Sequence, residues 1–342
     1  MTVLETDAQP LTDGLARRLA DAITLVETAS DGLSARIGDN EVTADTPLQL
    51  RDRLAVLIYE HLHAGRPERD ETLPRSLRDP EFERLLHAAT PHPSTLYRAR
   101  LWGTDGGLPV VQIDGVRVRL PETGPHGPTD PDGTLRAAAS RAADGEEWAD
   151  IVVPSVRPAL SPGFFLADGS LGRPTDGAIL RLYTHITHPK YAPAAWAAVL
   201  GALERAAVPY RVKISSSPLL YPRRDALVVY LGTEELHALD TVRLAVQDVA
   251  GLGPDTSPFT HELAPGFAAA WEPDDDRPGR RNVSFGEHRA AAVAEGLVAH
   301  RLTPTQPSAA AAVAAALRDA GVDPAHPARS LKQPHADPRR KV

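Results

Sequence analysis

Apolar residues recur at the spacing of an α-helix in several stretches of the chain. Leu15, Leu19, Ile23 and Val26 form such a stripe and predict an amphipathic helix over residues 11–27. The same spacing predicts further helices over residues 48–63, 79–88, 193–206, 234–249, 286–301 and 308–320. Helices are therefore expected at both ends of the chain and between the strands of its second half.

Strands are predicted where short β-prone apolar runs lie between turn residues. Asp114-Gly115 is a strong hairpin signal between two of these runs. The predicted strands cover residues 96–102, 109–113, 116–120, 178–187, 210–215 and 227–231, with a further strand and an extended connection over 150–160. Strands and helices alternate irregularly, which predicts an α+β fold with a mixed, mostly antiparallel sheet flanked by helices and an N-terminal helical region.

The pattern divides the chain into three parts. Residues 1–95 form a mainly helical region suited to binding a peptide or a partner, and residues 96–305 form the α+β domain. Residues 306–342 hold a last helix and a polar tail that is predicted to be disordered after Pro327. The segment 121–132 is dense in proline, glycine and aspartate and is predicted to be a loop.

Composition excludes several classes of function. The 37 lysines and arginines are outnumbered by 45 aspartates and glutamates, and an acidic chain is a poor candidate for binding nucleic acid through its phosphates. Cysteine is absent, which excludes disulfides, thiolate metal sites and cysteine nucleophiles. The first residues lack the parts of a secretory signal, and no apolar run is long enough to cross a bilayer, so we expect a cytoplasmic protein.

Catalytic motifs are mostly absent. The chain has no GxxxxGK[ST] or GxGxxG phosphate loop, no HExxH zinc motif and no GxSxG nucleophile elbow. His185 and His188 lie three residues apart, but no acidic residue at zinc-ligand spacing accompanies them. We therefore expect neither a metal site nor a serine hydrolase.

Two predicted strands carry cations on one face. Alternation places Arg181, Tyr183 and His185 together on the first strand, and Arg211 and Lys213 together on the second. Guanidinium groups chelate phosphate oxygens, and a lysine that is desolvated near other cations has a lowered pKa and is able to act as a base. If these strands lie side by side, the cluster predicts a phosphate site, whereas each arginine taken singly is an ordinary surface cation.

Three further arginines extend this candidate site. Arg223 and Arg224 follow in the segment Tyr221-Pro-Arg-Arg-Asp225. Ser284 is placed to cap the next helix and Arg289 falls in its second turn, and a helix N-terminus beside an arginine attracts an anion. A capped helix with surface charges explains Ser284 and Arg289 equally well.

The order of these motifs resembles that of the HopA-type effector-like family, over residues 96–301. Members of that family include phosphoserine/phosphothreonine lyases, which accompany class V lanthipeptide and thioamitide biosynthesis. The segments that carry the resemblance are Ser161-Pro-Gly-Phe-Phe165, Arg181-Leu-Tyr183, Val208-Pro-Tyr-Arg-Val-Lys213, Tyr221-Pro-Arg-Arg-Asp-Ala-Leu-Val-Val-Tyr-Leu231 and Ser284-Phe-Gly-Glu-His-Arg289.

The resemblance implies a lyase-like domain at 96–305 and a role for each candidate residue. A partner kinase would phosphorylate Ser or Thr of a ribosomal precursor peptide, and this chain would eliminate the phosphate to leave dehydroalanine or dehydrobutyrine for a cyclase. Lys213 would be the base, His185 the acid and Tyr183 an orienting group. His288 is the alternative acid, because the family more often has asparagine at the position of His185. The phosphate would be held by Arg181, Arg211, Arg224 and Arg289, with Arg223 as a weaker candidate, and no metal or organic cofactor is implied.

Two other functions fit the same sequence. The chain is alternatively a non-catalytic scaffold that holds a peptide for a kinase and a cyclase, in which case replacing Lys213 would leave the peptide's chemistry unchanged. It is otherwise an effector-like protein directed at a host, although its N-terminus lacks an obvious Ser-rich secretion signal.

Overall fold

The computed structural model of the chain describes residues 11–66, 77–113, 116–120, 136–141, 147–175, 177–275, 277–279, 283–303 and 307–333. A π-helical turn, Tyr59–Ala64, extends the second of its helices, and short 3-10 turns cover Pro189–Tyr191, Pro218–Leu220 and Leu236–Ala238. The α-helices of the described residues are α1 (Arg17–Ile23), α2 (Pro47–Ile58), α3 (Pro80–Ala88), α4 (Ala192–Ala206), α5 (Leu239–Gln247), α6 (Phe285–Leu302) and α7 (Ala309–Asp319).

The strands of the described residues pair only in antiparallel fashion. They are β1 (Leu11–Thr12), β2 (Leu15–Ala16), β3 (Val26–Thr28), β4 (Ser34–Ile37), β5 (Asn40–Thr43), β6 (Ser94–Asp105), β7 (Leu108–Ile113), β8 (Val116–Arg119), β9 (Arg136–Arg141), β10 (Glu147–Pro154), β11 (Val156–Ser161), β12 (Phe164–Asp168), β13 (Leu180–Ile186), β14 (Arg211–Ser215), β15 (Arg223–Leu231), β16 (His261–Ala264) and β17 (Phe267–Trp271).

Two larger sheets dominate the fold. One has seven strands in the order β11-β12-β14-β15-β13-β17-β16, and the other has five in the order β8-β7-β6-β10-β9. Smaller sheets join β3, β4 and β5, and β1 with β2. The α+β prediction with a mostly antiparallel sheet is confirmed.

Helix caps explain where several helices begin. The Thr46 and Asp79 side chains accept backbone N–H groups at the starts of α2 and α3, and each is followed by a proline at the first helical position. Ser284 and Glu287 form a capping box at the start of α6, as the sequence predicts for Ser284. These local signals explain why the helices predicted over 48–63, 79–88 and 286–301 begin within one residue of α2, α3 and α6.

The seven-stranded sheet is covered by helices on both faces. On one face, Leu182, Val212 and Val229 pack in a buried cluster with residues of α4 and α5. On the other face, Tyr183 and Val228 belong to a second cluster, which joins α2, α6 and α7 with residues of the N-terminal region. The N-terminal region and the last helix therefore share one hydrophobic core with the sheet.

Several parts of the chain differ from the sequence prediction. The helix predicted over 11–27 is shortened to α1, because Asp13 and Gly14 take positive φ values and turn the chain between β1 and β2. The N-terminal region is not only helical, since β3 to β5 form a sheet within it. The sequence also misses β16 and β17. The hairpin turn at 114–115 and the loop at 121–132 lie outside the described residues.

The C-terminal tail also departs from the prediction of disorder after Pro327. The carbonyl of Ala328 accepts a hydrogen bond from the Trp271 backbone N–H at 2.8 Å, and Ser330 forms a β-bridge with Val322. These backbone hydrogen bonds attach the tail to β17 and to the turn after α7 as far as residue 333. The rest of the tail lies outside the described residues.

Candidate functional site

A cleft of about 450 Å³ opens on the seven-stranded sheet at the strands where the sequence predicts a cationic face. Arg181, Tyr230, Arg211 and Asp168 lie directly opposite one another in a row across β13, β15, β14 and β12. The two predicted strands are thus separated by β15 rather than adjacent, yet their cations share one face. The cleft is lined by Leu160, Ser161, Leu166, Arg173, Pro174, Ile179, Arg211, Lys213, Tyr230 and Glu272.

Lys213 is a half-buried side chain of this cleft. Its ammonium group lies 3.9 Å from the centre of the Phe164 ring, a cation–π contact that holds the group above the sheet. Leu166 and Val228 lie directly opposite Lys213 on the neighbouring strands. Among the described residues, no carboxylate forms a salt bridge with Lys213. Lys213 is therefore a cation that faces the cleft.

The arginines of this row each hold a carboxylate. Arg211 donates to both oxygens of Asp168, at 2.6 and 3.0 Å. Buried Arg181 donates two hydrogen bonds to Glu272 and lies 5.0 Å from the Tyr230 ring. These bidentate hydrogen bonds fix the planes of both guanidinium groups.

The cleft has an excess of positive charge. Among the described residues, its walls, their ion-pair partners and Arg157, which lies 3.9 Å from Asp168, carry five cations against two carboxylates, Asp168 and Glu272. The net positive charge of these described residues attracts an anion, because part of this face is removed from water. The five cations are Arg157, Arg173, Arg181, Arg211 and Lys213.

A buried ionic network lies on the same face of the sheet as Lys213. Arg223 donates to Asp225 at 2.7 and 3.1 Å and to the Tyr59 hydroxyl at 2.8 Å. Burial would raise the pKa of Asp225, but Arg223 and His63 outweigh it and hold that pKa well below its usual range. Burial lowers the pKa of His63 to about 4. Since its guanidinium is occupied by these partners, Arg223 supports the sheet rather than facing the cleft.

His185 and Arg224 lie outside the lining of the cleft. The pairing of β13 with β15 is interrupted by a β-bulge at His185. Thr184 pairs with Leu227 and Ile186 with Arg223, so His185 alone faces three residues of β15. The His185 ring packs against Gly253, and burial lowers its pKa. Arg224 donates to the carbonyls of His61 and Leu62, at 3.4 and 3.2 Å. The roles predicted for both residues remain predictions.

His288, Arg289 and Tyr183 form a separate buried group under α6. Arg289 donates to the Pro327 carbonyl and bonds to His288 Nδ1, both at 2.7 Å, while His288 Nε2 lies 2.8 Å from Asp275. Burial lowers the pKa of Arg289 to about 9 and, together with Arg289, lowers that of His288 to about 4. Burial also raises the pKa of the Tyr183 hydroxyl. None of the three lines the cleft.

The structure thus brings together Lys213, Arg211 and Arg181 of the predicted site. It adds Arg173, Tyr230, Asp168 and Glu272, which the sequence analysis missed. Strand alternation could have indicated Tyr230 and Asp168, because both lie directly opposite Arg211 and share its face of the sheet. Arg173 follows Gly172 in a segment between strands, where no periodicity marks it.

Two negative observations concern the described residues. They contain no group of three or more histidines, aspartates and glutamates placed to hold a metal ion. None of their helices combines the length and apolarity that crossing a bilayer requires.

The chain is thus an antiparallel α+β protein with a cationic cleft on its main sheet. A model of the HopA1 effector protein family matches residues 155–329, which is about half of the chain and includes every strand of the seven-stranded sheet. The chain belongs to the HopA1 effector protein family.

Two solved structures are similar to the chain. One is the effector protein from Pseudomonas syringae pv. syringae strain 61, at 16% identity and a TM-score of 0.37, covering 49% of this chain and 62% of that one. The other is the effector protein from Pseudomonas syringae pv. tomato strain DC3000, at 14% identity and a TM-score of 0.43, covering 80% and 87%. The chain thus spans less than two thirds of the length of the first. No curated protein sequence matches the chain.

Proposed function

We propose that the chain is a phospholyase that eliminates phosphate from phosphoserine or phosphothreonine in a ribosomal precursor peptide. The observation that carries this proposal is Lys213, a cation without a carboxylate partner among the described residues, in a cleft whose other charged groups are arginines with a smaller number of carboxylates. A partner kinase would supply the phosphopeptide, and a cyclase would consume the dehydrated product. The chemistry requires only side chains, with no metal or organic cofactor.

The elimination is a proton transfer coupled to the loss of phosphate. Lys213 Nζ first gives its proton to water and then takes the α-proton, and the electron pair of the Cα–H bond becomes the Cα=Cβ double bond. The Cβ–O bond breaks, and its electrons leave with the phosphate. A side-chain donor protonates the departing oxygen, so the products are dehydroalanine or dehydrobutyrine, hydrogen phosphate, protonated Lys213 and the deprotonated donor, which proton exchange with water restores.

The arginines stabilise the departing phosphate. Arg211 and Arg173 both line the cleft and are placed to bind phosphate oxygens, while Arg181 and Arg157 add charge from behind their carboxylates. An excess of positive charge matches a phosphate dianion and stabilises it most as the leaving group takes up charge.

A proton donor to the leaving oxygen is the third requirement. Tyr230 lines the cleft between Arg181 and Arg211, whereas His185 packs against Gly253 outside it. We therefore assign the donor role to the Tyr230 hydroxyl in preference to His185 or His288. Replacing Tyr230 with phenylalanine is expected to slow elimination more than replacing His185 with alanine.

The test is incubation with a phosphothreonine peptide in the presence of a chelator, followed by mass spectrometry. The expected result is loss of one phosphoric acid, and addition of a thiol then shows the double bond. Lys213→Ala is expected to abolish elimination while phosphopeptide binding persists, because the arginines are unchanged. Exposed Lys190 provides the matched control, Lys190→Ala, which is expected to retain full activity.

Two results would contradict this proposal. Release of phosphate that leaves an intact threonine would identify a phosphatase. Tight binding without any chemical change, unaffected by Lys213→Ala, would favour the peptide-binding scaffold.

Membership of the HopA1 effector protein family favours a second candidate, an effector-like protein directed at a host. In that case the phosphorylated target is a host protein. The cleft would then either eliminate phosphate from that protein or bind its phosphorylated residue without further chemistry. Comparing wild-type and Lys213→Ala chains on phosphorylated precursor peptides and on a phosphorylated host lysate separates the two. Dehydrated residues confined to host proteins would support the effector.

A further inference from the structure

A second cavity, of about 640 Å³, lies on the five-stranded sheet beside the cleft. Arg173 lines both cavities, so the two adjoin at this residue. The other lining residues are Leu96, Tyr97, Arg98, Ala99, Gln112, Trp148, Leu171, Gly172 and Thr175. We call this surface, together with Arg100, Trp102 and Arg117 on the same sheet face, the Arg/Trp groove.

Arginines lie over aromatic rings along this groove. The Arg117 guanidinium is 4.0 Å from the Trp102 ring centre, and Trp102 is 53% exposed. Arg98 lies 5.6 Å from the Trp148 ring centre, and the side chains of Arg98 and Arg117 are exposed. Stacking holds each guanidinium flat and leaves its edge N–H groups available to carboxylates.

The charges of the groove favour a short acidic ligand. Among the described residues, Arg98, Arg100, Arg117 and Arg119 share the face with two carboxylates: Asp150, which lies directly opposite Arg98, and Asp105, which is ion-paired with Arg119. Two net positive charges suit a peptide with a few aspartates or glutamates. A long polyanion such as nucleic acid would be repelled by the rest of the chain, whose net charge is −8.

Tyr97 links the groove to the cleft. Its ring lies 5.2 Å from the Arg157 guanidinium and 5.5 Å from that of Arg173. Its hydroxyl is 3.4 Å from Asp168, which accepts two hydrogen bonds from Arg211 in the cleft. The Tyr97 side chain lies on the buried face of β6, opposite the face of Arg98, so a ligand in the groove and a phosphate in the cleft would share contacts through Arg173, which lines both cavities.

We infer that the Arg/Trp groove binds acidic residues that flank the phosphorylated residue of a peptide substrate. The inference rests on the proposed function for the position of the phosphate in the cleft. It assigns the chain a preference for phosphopeptides with aspartate or glutamate near the modified residue. The aromatic rings would bind the intervening backbone and apolar side chains.

Two phosphothreonine peptides of equal length test this inference, one with flanking aspartates and one with asparagines in their place. We expect the acidic peptide to bind the wild-type chain about tenfold more tightly at low salt, a difference that added salt reduces. The double variant Arg98→Glu/Arg117→Glu is expected to lose this difference and to bind the neutral peptide as the wild type does. Arg17→Glu/Arg84→Glu makes the same charge change at exposed helical positions and is expected to keep the difference.

The outcomes separate this inference from the proposed function. Equal binding of both peptides by the wild type, or equal loss in the two double variants, would overturn the inference and leave elimination from the neutral peptide as the test of the lyase. A retained acidic preference without any elimination would support the groove and contradict the lyase. Tighter binding of a single-stranded oligonucleotide than of the acidic peptide, abolished by Arg98→Glu/Arg117→Glu, would overturn the inference in favour of nucleic acid.

Discussion

The two larger sheets carry their charges in opposite ways. In the seven-stranded sheet every residue of β13 is buried, and Arg181, Arg223 and Asp225 are fixed in ion pairs between the sheet and its helices. In the five-stranded sheet, β6 alternates between buried and exposed residues, and exposed Arg98 lies over the half-buried Trp148 ring. Where helices cover the seven-stranded sheet its charges must pair, whereas the uncovered face of the five-stranded sheet, like the cleft at Lys213, leaves charges available for a ligand.

Removing one partner of a buried pair in the covered sheet should have the largest effect. Asp225→Ala leaves Arg223 and His63 without their carboxylate in a dry site, and we expect the free energy of unfolding to fall by about 3–5 kcal/mol. Urea denaturation measures this loss. A loss below about 1 kcal/mol would mean that water reaches the network and that this face is not covered as described.

Acid should destabilise the covered sheet through its buried histidines. His63 and His288 have pKa values of about 4 in the folded chain, against about 6.5 when unfolded, so the unfolded state binds more protons between these values. We expect the free energy of unfolding to be constant above pH 6.5 and to fall by about 3 kcal/mol per histidine as the pH drops to 4.

Denaturation across this pH range, repeated with His288→Gln, checks the expectation. The variant should show a smaller dependence on pH. The strands of the five-stranded sheet contain no histidine, so they should not contribute to the dependence of stability on pH in this range. An unchanged slope in the variant would show that folding does not lower the pKa of His288.

Loosening the helical cover should have an intermediate effect. A Cβ at Gly296 in α6 would lie 2.6 Å from the Val313 Cα in α7, so Gly296→Ala must separate the two helices, and we expect a loss of about 1–3 kcal/mol. Gly201→Ala in α4 is the matched control, since its Cβ meets only the mobile end of Arg205. The control should be neutral or stabilising by up to about 1 kcal/mol. Thermal denaturation of both variants would reveal any reversal of this order.

Truncating the exposed arginines should have the smallest effect on stability. Arg98→Ala and Arg117→Ala remove side chains that project from the uncovered face, and each should change the free energy of unfolding by less than about 0.5 kcal/mol. Their effect is expected in peptide binding instead. A loss of stability comparable to that of Asp225→Ala would show that these arginines are structural.

The sequence predicts the elements of the fold better than their arrangement. Strands β13 and β14 and helices α4 and α6 follow from alternation, apolar stripes and caps, which are local properties. Strand β17, Phe-Ala-Ala-Ala-Trp, has little β-propensity, and its pairing with β13 decides its structure.

The candidate site shows the same division. Alternation places Arg181 and Lys213 on one face, and the structure confirms that placement. Which carboxylate holds each arginine depends on tertiary packing, and so does the break in the ladder beside His185. The hydrogen bond from Arg289 to the Pro327 carbonyl joins segments that are distant in the sequence, so residue spacing does not predict it.

The shared core has a consequence for synthesis on the ribosome. Ala16 donates its backbone N–H to the Pro324 carbonyl, and Arg289 donates to the Pro327 carbonyl, so the first and last described segments complete the same core. During synthesis, the N-terminal helices and the strands of the main sheet therefore lack this C-terminal part of the core. The core is completed only when residues near 327 have left the exit tunnel. Contacts of such sequence separation slow folding and expose apolar surface meanwhile, which makes this chain a natural client for chaperones during translation.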